Sequence, residues 1–180
     1  MARVPQLIVV DPDRESSAEL AKTLQALGFQ VLATAGYGVE AFTLCFQLRP
    51  DLVLMRVEEP LVRPIQTLSR INDGLPDLPI VAFSTEANIR LMRQSMVGGA
   101  SDYLVEPINT DELEQSIMRV LEKKEREGMR RRGELALGVG RHRQPDDVVL
   151  HMRRHQHLAD QLLPLHDLGA VHHLVRDRIV

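Results

Sequence analysis

Pro50-Asp51-Leu52-Val53-Leu54-Met55-Arg56-Val57-Glu58-Glu59-Pro60 is the stretch on which the reading of this chain turns. Residues 52 to 55 are continuously apolar, too few for a core helix and without the alternation of a half-exposed strand. They read as a strand buried on both faces. The run ends on a guanidinium, Arg56, and passes into a loop holding two glutamates and a proline. Ligand sites in open α/β sheets collect at the carboxyl ends of strands, so the charge at this strand end is the first residue to explain.

Four further short apolar runs, at 7 to 10, 31 to 34, 80 to 83 and 103 to 105, alternate with amphipathic stretches. That alternation predicts a parallel sheet with helices on both faces. Glu19, Leu20, Ala21, Leu24 and Leu27 have helical spacing and stop at Gly28, a suitable left-handed cap. Similar patterns predict helices at about 38 to 48, 62 to 73, 86 to 98 and 110 to 127, the last with a capped start at Thr110. The expectation is a doubly wound (βα)5 unit. Because crossovers are right-handed, any site should be built from residues just after strands one, three, four and five.

The chain has 180 residues, 44% of them hydrophobic, enough for one well-buried domain and an appendage. A formal net charge of -3 with mixed signs argues against a strong field toward nucleic acid or a membrane. The single cysteine, Cys45, lies in an apolar helical stretch and reads as a small buried hydrophobe in a reducing compartment. No run of about 20 apolar residues and no leader-like segment is present, which predicts a cytoplasmic location.

Beyond about residue 126 the character changes. Residues 1 to 129 carry 13 basic and 19 acidic side chains, whereas 130 to 180 carry 9 and 6, with all seven histidines and no lysine. The expected division is a domain at 1 to 126 and a basic linker with a His-rich tail at 127 to 180. Pro145 and Pro164 interrupt the only leucine-bearing helical pattern of the tail, and no independent core is expected there. His151, His155, His157, His172 and His173 lack the cysteine or clustered carboxylate that would complete a metal set, so no metal is expected. Arg130, Arg131 and Arg132 read as a solvated linker. Gly138 and Gly140 lack the Lys-Ser or Lys-Thr of a phosphate loop.

Residues 6 to 125 resemble the receiver (CheY-like) domain of bacterial two-component response regulators. Val9-Val10-Asp11-Pro12-Asp13 resembles the acidic cluster after strand one, and Arg49-Pro50-Asp51-Leu52-Val53-Leu54 the approach to the phosphoacceptor. Ile80-Val81-Ala82-Phe83-Ser84-Thr85 resembles the strand that ends in a hydroxyl residue, and Gly99-Ala100-Ser101-Asp102-Tyr103-Leu104-Val105-Glu106-Pro107 the motif of strand five. The resemblance implies a flavodoxin-like fold with strand order 2-1-3-4-5. The arrangement is also similar to the degenerate receivers at the N-terminus of pilus-assembly ATPases related to chromosome-partitioning proteins.

What the family uses for phosphoryl transfer is altered here. The resemblance implies a carboxylate nucleophile where Arg56 stands, a lysine where Glu106 stands, and a second acidic residue where Pro12 stands, leaving Asp11 with Asp13 displaced by one position. A guanidinium accepts no phosphoryl group by that chemistry, and Mg²⁺ would have to bind beside a fixed cation, so Mg²⁺ binding is expected to be weak or absent and no cofactor is expected. Ser84, with Thr85 beside it, still matches the phosphoryl-gripping hydroxyl, and Tyr103 matches the aromatic switch position. Two readings of the exchanged charges stand open: separate substitutions with both heads in solvent, or a permanent ion pair of Arg56 with Glu106, Asp11 or both.

The expected function is a non-enzymatic, phosphorylation-independent receiver that binds a protein partner, or a second copy of itself, through helix four, strand five and helix five. Ile89, Leu91, Met92, Met96, Tyr103, Leu113 and Ile117 are the candidate residues of that face. A conventional phosphorelay receiver that uses Glu58 or Asp13 as acceptor is the alternative. A DNA-binding regulator would need an effector domain after residue 126, where no helix-turn-helix pattern is seen, and nucleic acid is not an expected partner.

Overall fold

Each of the five apolar runs becomes a strand of one parallel sheet in the computed structural model, which describes residues 3–136. The strands are β1 (Gln6–Val10), β2 (Gln30–Ala35), β3 (Leu52–Arg56), β4 (Ile80–Ser84) and β5 (Asp102–Val105), in the order β2-β1-β3-β4-β5. Between and after them lie α1 (Arg14–Ala26), α2 (Val39–Leu48), α3 (Val62–Gly74), α4 (Ile89–Val97) and α5 (Thr110–Ala136). This is the (βα)5 unit that the alternation predicts, in the flavodoxin-like strand order that the resemblance implies. Two units are distinguished among the described residues, the sheet with its helices up to Lys124 and the segment that starts at Glu125. The tail and its histidines lie outside the described residues.

Alternation along the strands divides the core between the two faces. Leu7, Val9, Leu52, Leu54, Val81, Phe83 and Leu104 pack with Leu24 of α1, with Phe29 just before β2, and with Leu113, Ile117 and Val120, the apolar stripe of α5. Ile8, Val10, Val53, Met55, Ile80 and Ala82 are equally buried by the opposite set of helices. Continuous burial on both sides is why these strands read as unbroken apolar runs. Cys45 is fully buried, and burial pushes its thiol up to about 12.

The helix boundaries show local chemistry that pattern alone misplaces. Asp13 caps α1, its carboxylate accepting from the N–H groups of Glu15 and Ser16, and the helix ends before Gly28 at φ +89 as expected. Asn88 caps α4, so that helix starts later than residue 86. Thr110 is not the cap of α5. Asn109 is: its side chain accepts from the Asp111 N–H at 2.9 Å and its carbonyl from the Leu113 N–H. The residue 126 boundary falls inside α5. Among the later residues Arg130 pairs with Glu134 one turn on, the kind of contact that sustains a helix without an apolar face.

The turn from α4 to β5 yields the first testable consequence. Gly99 has φ +108, and a Cβ placed there would lie 2.6 Å from Asn72 Nδ2 on α3. Gly99→Ala therefore combines backbone strain of about 1 to 2 kcal/mol with overpacking of about 1 to 3 kcal/mol. Urea unfolding should show a loss of about 2 to 5 kcal/mol; a loss below the measurement error would mean that the turn relaxes freely.

Asp102, the first residue of β5, accepts from Ser116 Oγ at 2.6 Å, from the Tyr103 N–H and from the Arg119 guanidinium. Burial alone would raise its pKa, but these hydrogen bonds outweigh it and hold the carboxyl below the usual carboxylate range. A lowered folded value makes the carboxylate stabilising above the unfolded value of about 3.9, and that stabilisation is lost as pH falls through the folded value. Asp102→Asn should thus flatten the acid limb of a urea-midpoint profile, and an unchanged limb would assign acid lability to other groups.

Candidate functional site

Arg56 is the last residue of β3 and shares a face with Leu52 and Leu54, so its side chain rises on the side covered by α1 and α5. It is 6% exposed, and its guanidinium lies over the Phe83 ring, its in-register neighbour on β4, at 4.8 Å. The fold brings the ends of β1, β3 and β5 together around it. Nε donates to Asp11 Oδ2 at 2.8 Å; one terminal nitrogen donates to Glu58 Oε1 at 2.8 Å and Glu106 Oε2 at 2.9 Å; the other donates to Ser16 Oγ at 2.6 Å and Glu106 Oε1 at 3.1 Å. A guanidinium has five N–H donors. All five are used, two of them in a bidentate grip on Glu106.

Burial is unequal among the partners. The Asp11 side chain is fully buried, whereas those of Glu58 and Glu106 retain 38% and 30% of their surface. Asp11 is nevertheless partnered at both oxygens: Oδ1 accepts from the Asp13 N–H at 2.9 Å, and Oδ2 also accepts from Ser16 Oγ at 2.8 Å. Burial would lower the pKa of Arg56, but hydrogen bonds to Glu106, Asp11 and Glu58 more than reverse this and hold it above the ordinary range. Tyr37, in the loop after β2, closes the cluster by donating its hydroxyl to the Arg56 carbonyl at 3.0 Å. Burial, with the charges of Asp11 and Glu58, raises the phenol pKa, so the hydroxyl stays a donor. Three carboxylates around one cation leave the cluster with excess negative charge.

The other residues singled out in the sequence divide sharply. Pro12 is exposed. Asp13 does not face the cluster but is consumed as the cap of α1. Ser84 is fully buried, and its hydroxyl accepts from the Glu86 N–H at 3.1 Å, a turn within its own loop. Thr85 is exposed and donates to Glu58 Oε1 at 3.3 Å. Tyr103 is partly buried, its hydroxyl donating to the Glu86 carbonyl at 3.4 Å. Leu91, Leu113 and Ile117 do not belong to a surface: each is at most 2% exposed, because in both helices they lie on the stripe that faces the sheet. Ile89, Met92 and Met96 remain outside at 71%, 40% and 45%.

Two partners of Arg56 were not legible as such. Glu58 reads in the sequence as a rival acceptor; the loop after β3 folds back and turns it into an ion-pair partner. Ser16 carries no signal beyond its place in the first turn of α1, five residues after Asp11.

Residues 7–118 match the family model described as the response regulator receiver domain. The transcriptional regulatory protein LnrK of Bacillus subtilis is 31% identical over 116 residues, 63% of this chain and 52% of its own length. The transcriptional regulatory protein PrrA of Mycobacterium tuberculosis is 30% identical over 120 residues, 67% of this chain and 51% of its own. The chain thus spans about half the length of these curated relatives. Among solved structures, the signal receiver domain of a modulated diguanylate cyclase from Desulfovibrio desulfuricans is 26% identical with a TM-score of 0.61, covering 69% of this chain and 99% of that one. A CheY-like receiver domain protein from Methanospirillum hungatei, 20% identical, shares the fold with a TM-score of 0.62 over 69% of this chain and 99% of its own. The chain belongs to the response regulator receiver domain family.

Proposed function

We propose that this receiver works without phosphorylation, as a protein-interaction module held in one state by the Arg56 cluster. The observation that carries the proposal is the complete use of the guanidinium: it fills the strand-end corner, offers no carboxylate to phosphorylate and keeps no N–H donor for an incoming phosphoryl oxygen. Mg²⁺ does not fit the residues present. Asp11 is already engaged at both oxygens by Arg56, Ser16 and the Asp13 N–H, Asp13 caps a helix, and among the described residues no three or more acidic, His or Cys side chains are grouped to hold a metal. Without a ligand that binds two states differently, nothing of the usual kind shifts the population between them.

Output then rests on surface recognition. Ile89, Met92 and Met96 follow one another at i, i+3 and i+7 on α4, an exposed apolar stripe beside β5 and Tyr103. A protein partner or a second copy of the chain docks there. Localisation or assembly is the proposed setting, on the resemblance of the sequence motifs to the degenerate receivers of pilus-assembly ATPases.

Incubation with acetyl phosphate and Mg²⁺, followed by intact-mass measurement, tests the reading. The expected spectrum is that of the unmodified chain. A stoichiometric, Mg²⁺-dependent gain of one phosphoryl group on Glu58 or Asp13 would restore the conventional phosphorelay reading.

A further inference from the structure

On the face formed by α2 and α3, away from the Arg56 cluster, four side chains form a row. Phe42 and Phe46, one turn apart on α2, stack with centroids 6.2 Å apart and planes 22° from parallel. Arg70 from α3 lies over Phe42 at 5.6 Å, and Arg49 lies over Phe46 at 4.9 Å. The inner end of the row is bedded on Gly74, where a Cβ would come within 2.6 Å of Phe42 Cε2. The outer end is open: Phe46 is 42% exposed and Arg49 is exposed.

Two features separate this row from ordinary surface. A guanidinium stacked on a ring keeps its N–H edges free while its rotamer is already restricted, which lowers the entropy cost of gripping a carboxylate. Neither Arg49 nor Arg70 is ion-paired with a carboxylate among the described residues. The second feature is strain. Arg49 is the only non-glycine residue at positive φ among the described residues, at φ 50 and ψ 56, where a helix normally ends on glycine or asparagine. An arginine at this strained position sets its guanidinium over Phe46.

We propose that the Arg70-Phe42-Phe46-Arg49 row is a docking surface for a carboxylate-rich peptide segment of a partner protein, with one apolar side chain of that segment seated on Phe46. Arginine and aromatic anchors are what such contacts select. A nucleic acid fits less well: its charges extend far beyond the row, over a domain that carries 19 acidic against 13 basic side chains in residues 1 to 129.

The probe is the peptide acetyl-Glu-Glu-Phe-Glu-Glu-amide, titrated into the isotope-labelled full chain while the arginine side-chain and backbone resonances are followed. Its glutamine counterpart and an oligothymidylate serve as the comparison arms. Shifts are expected at Arg49, Arg70 and Phe46, with affinity for the glutamine peptide lower by about tenfold or more. Arg49→Gly separates binding from folding, because glycine suits the backbone at that position: the melting temperature should hold or rise while affinity falls by about tenfold. Phe46→Ala, on the exposed end, should weaken binding with the fold intact. The proposal is overturned by absent shifts at millimolar peptide, by shifts that map elsewhere, by equal binding of the glutamine peptide, by wild-type affinity in Arg49→Gly, or by tighter oligothymidylate binding at the same residues. None of these outcomes bears on the Arg56 cluster.

Discussion

Arg56→Met is expected to cost the folded state about 3 to 5 kcal/mol, because it strands a buried carboxylate rather than removing a surface ion pair. Asp11 decides the magnitude. Its side chain is fully buried and loses the Nε donor at 2.8 Å, whereas Glu58 and Glu106 can turn to water. Glu106→Gln alone should therefore cost much less, on the order of 1 kcal/mol, nearer the range of exposed pairs. Arg56→Lys should not rescue the fold: three donors on a compact ammonium replace five in a planar fork that reaches Ser16 and all three carboxylates at once. Urea unfolding of the four proteins checks the ranking. A loss below about 1 kcal/mol for Arg56→Met would mean that the cluster is an ornament of the surface and that the locked-state reading has no energetic basis.

With Arg56→Asp, the charge at the end of β3 is reversed and four carboxylates meet where one cation had separated three. In the absence of divalent cations this variant should be less stable than Arg56→Met, since like charges now repel in a partly buried site. Mg²⁺ should then rescue it. Binding to the folded state alone adds RT ln(1 + [L]/Kd), about 2.7 kcal/mol at a hundredfold excess over Kd, so the urea midpoint should climb with Mg²⁺ at matched ionic strength. The wild-type midpoint should stay flat over the same range, with its cation already built into the chain. A wild-type midpoint that rose in parallel would show that Mg²⁺ and Arg56 occupy the corner together, and the proposed absence of phosphorylation would lose its electrostatic footing.

The fold was legible because its signal is redundant. Five apolar runs of strand length and the stop at Gly28 all point to one architecture, and each depends on local chemistry that a linear chain displays. Boundaries were less legible where a side chain competes for the first turn. Asn109 and Asn88 cap their helices by folding an amide back onto the next backbone N–H groups, and Asp13 does so with a carboxylate, choices that hydrophobic spacing does not report. The interaction face was half legible for a related reason. On α4 the buried Leu91 and the exposed Met92 are adjacent in sequence and similar in hydropathy, and only the direction of the sheet tells them apart.

By itself the sequence determined the family, the order of elements and the presence of opposite charges, Arg56 and Glu106, just after two strand-forming runs, because these depend on residue type and period along the chain. The tertiary structure alone decided what those two charges do. Residues 11, 16, 56, 58 and 106 are scattered along the chain and meet only when parallel strands bring their carboxyl ends to one edge of the sheet. Whether a charged group is buried, and how many donors it satisfies, depends on distances between such segments, which no local pattern encodes.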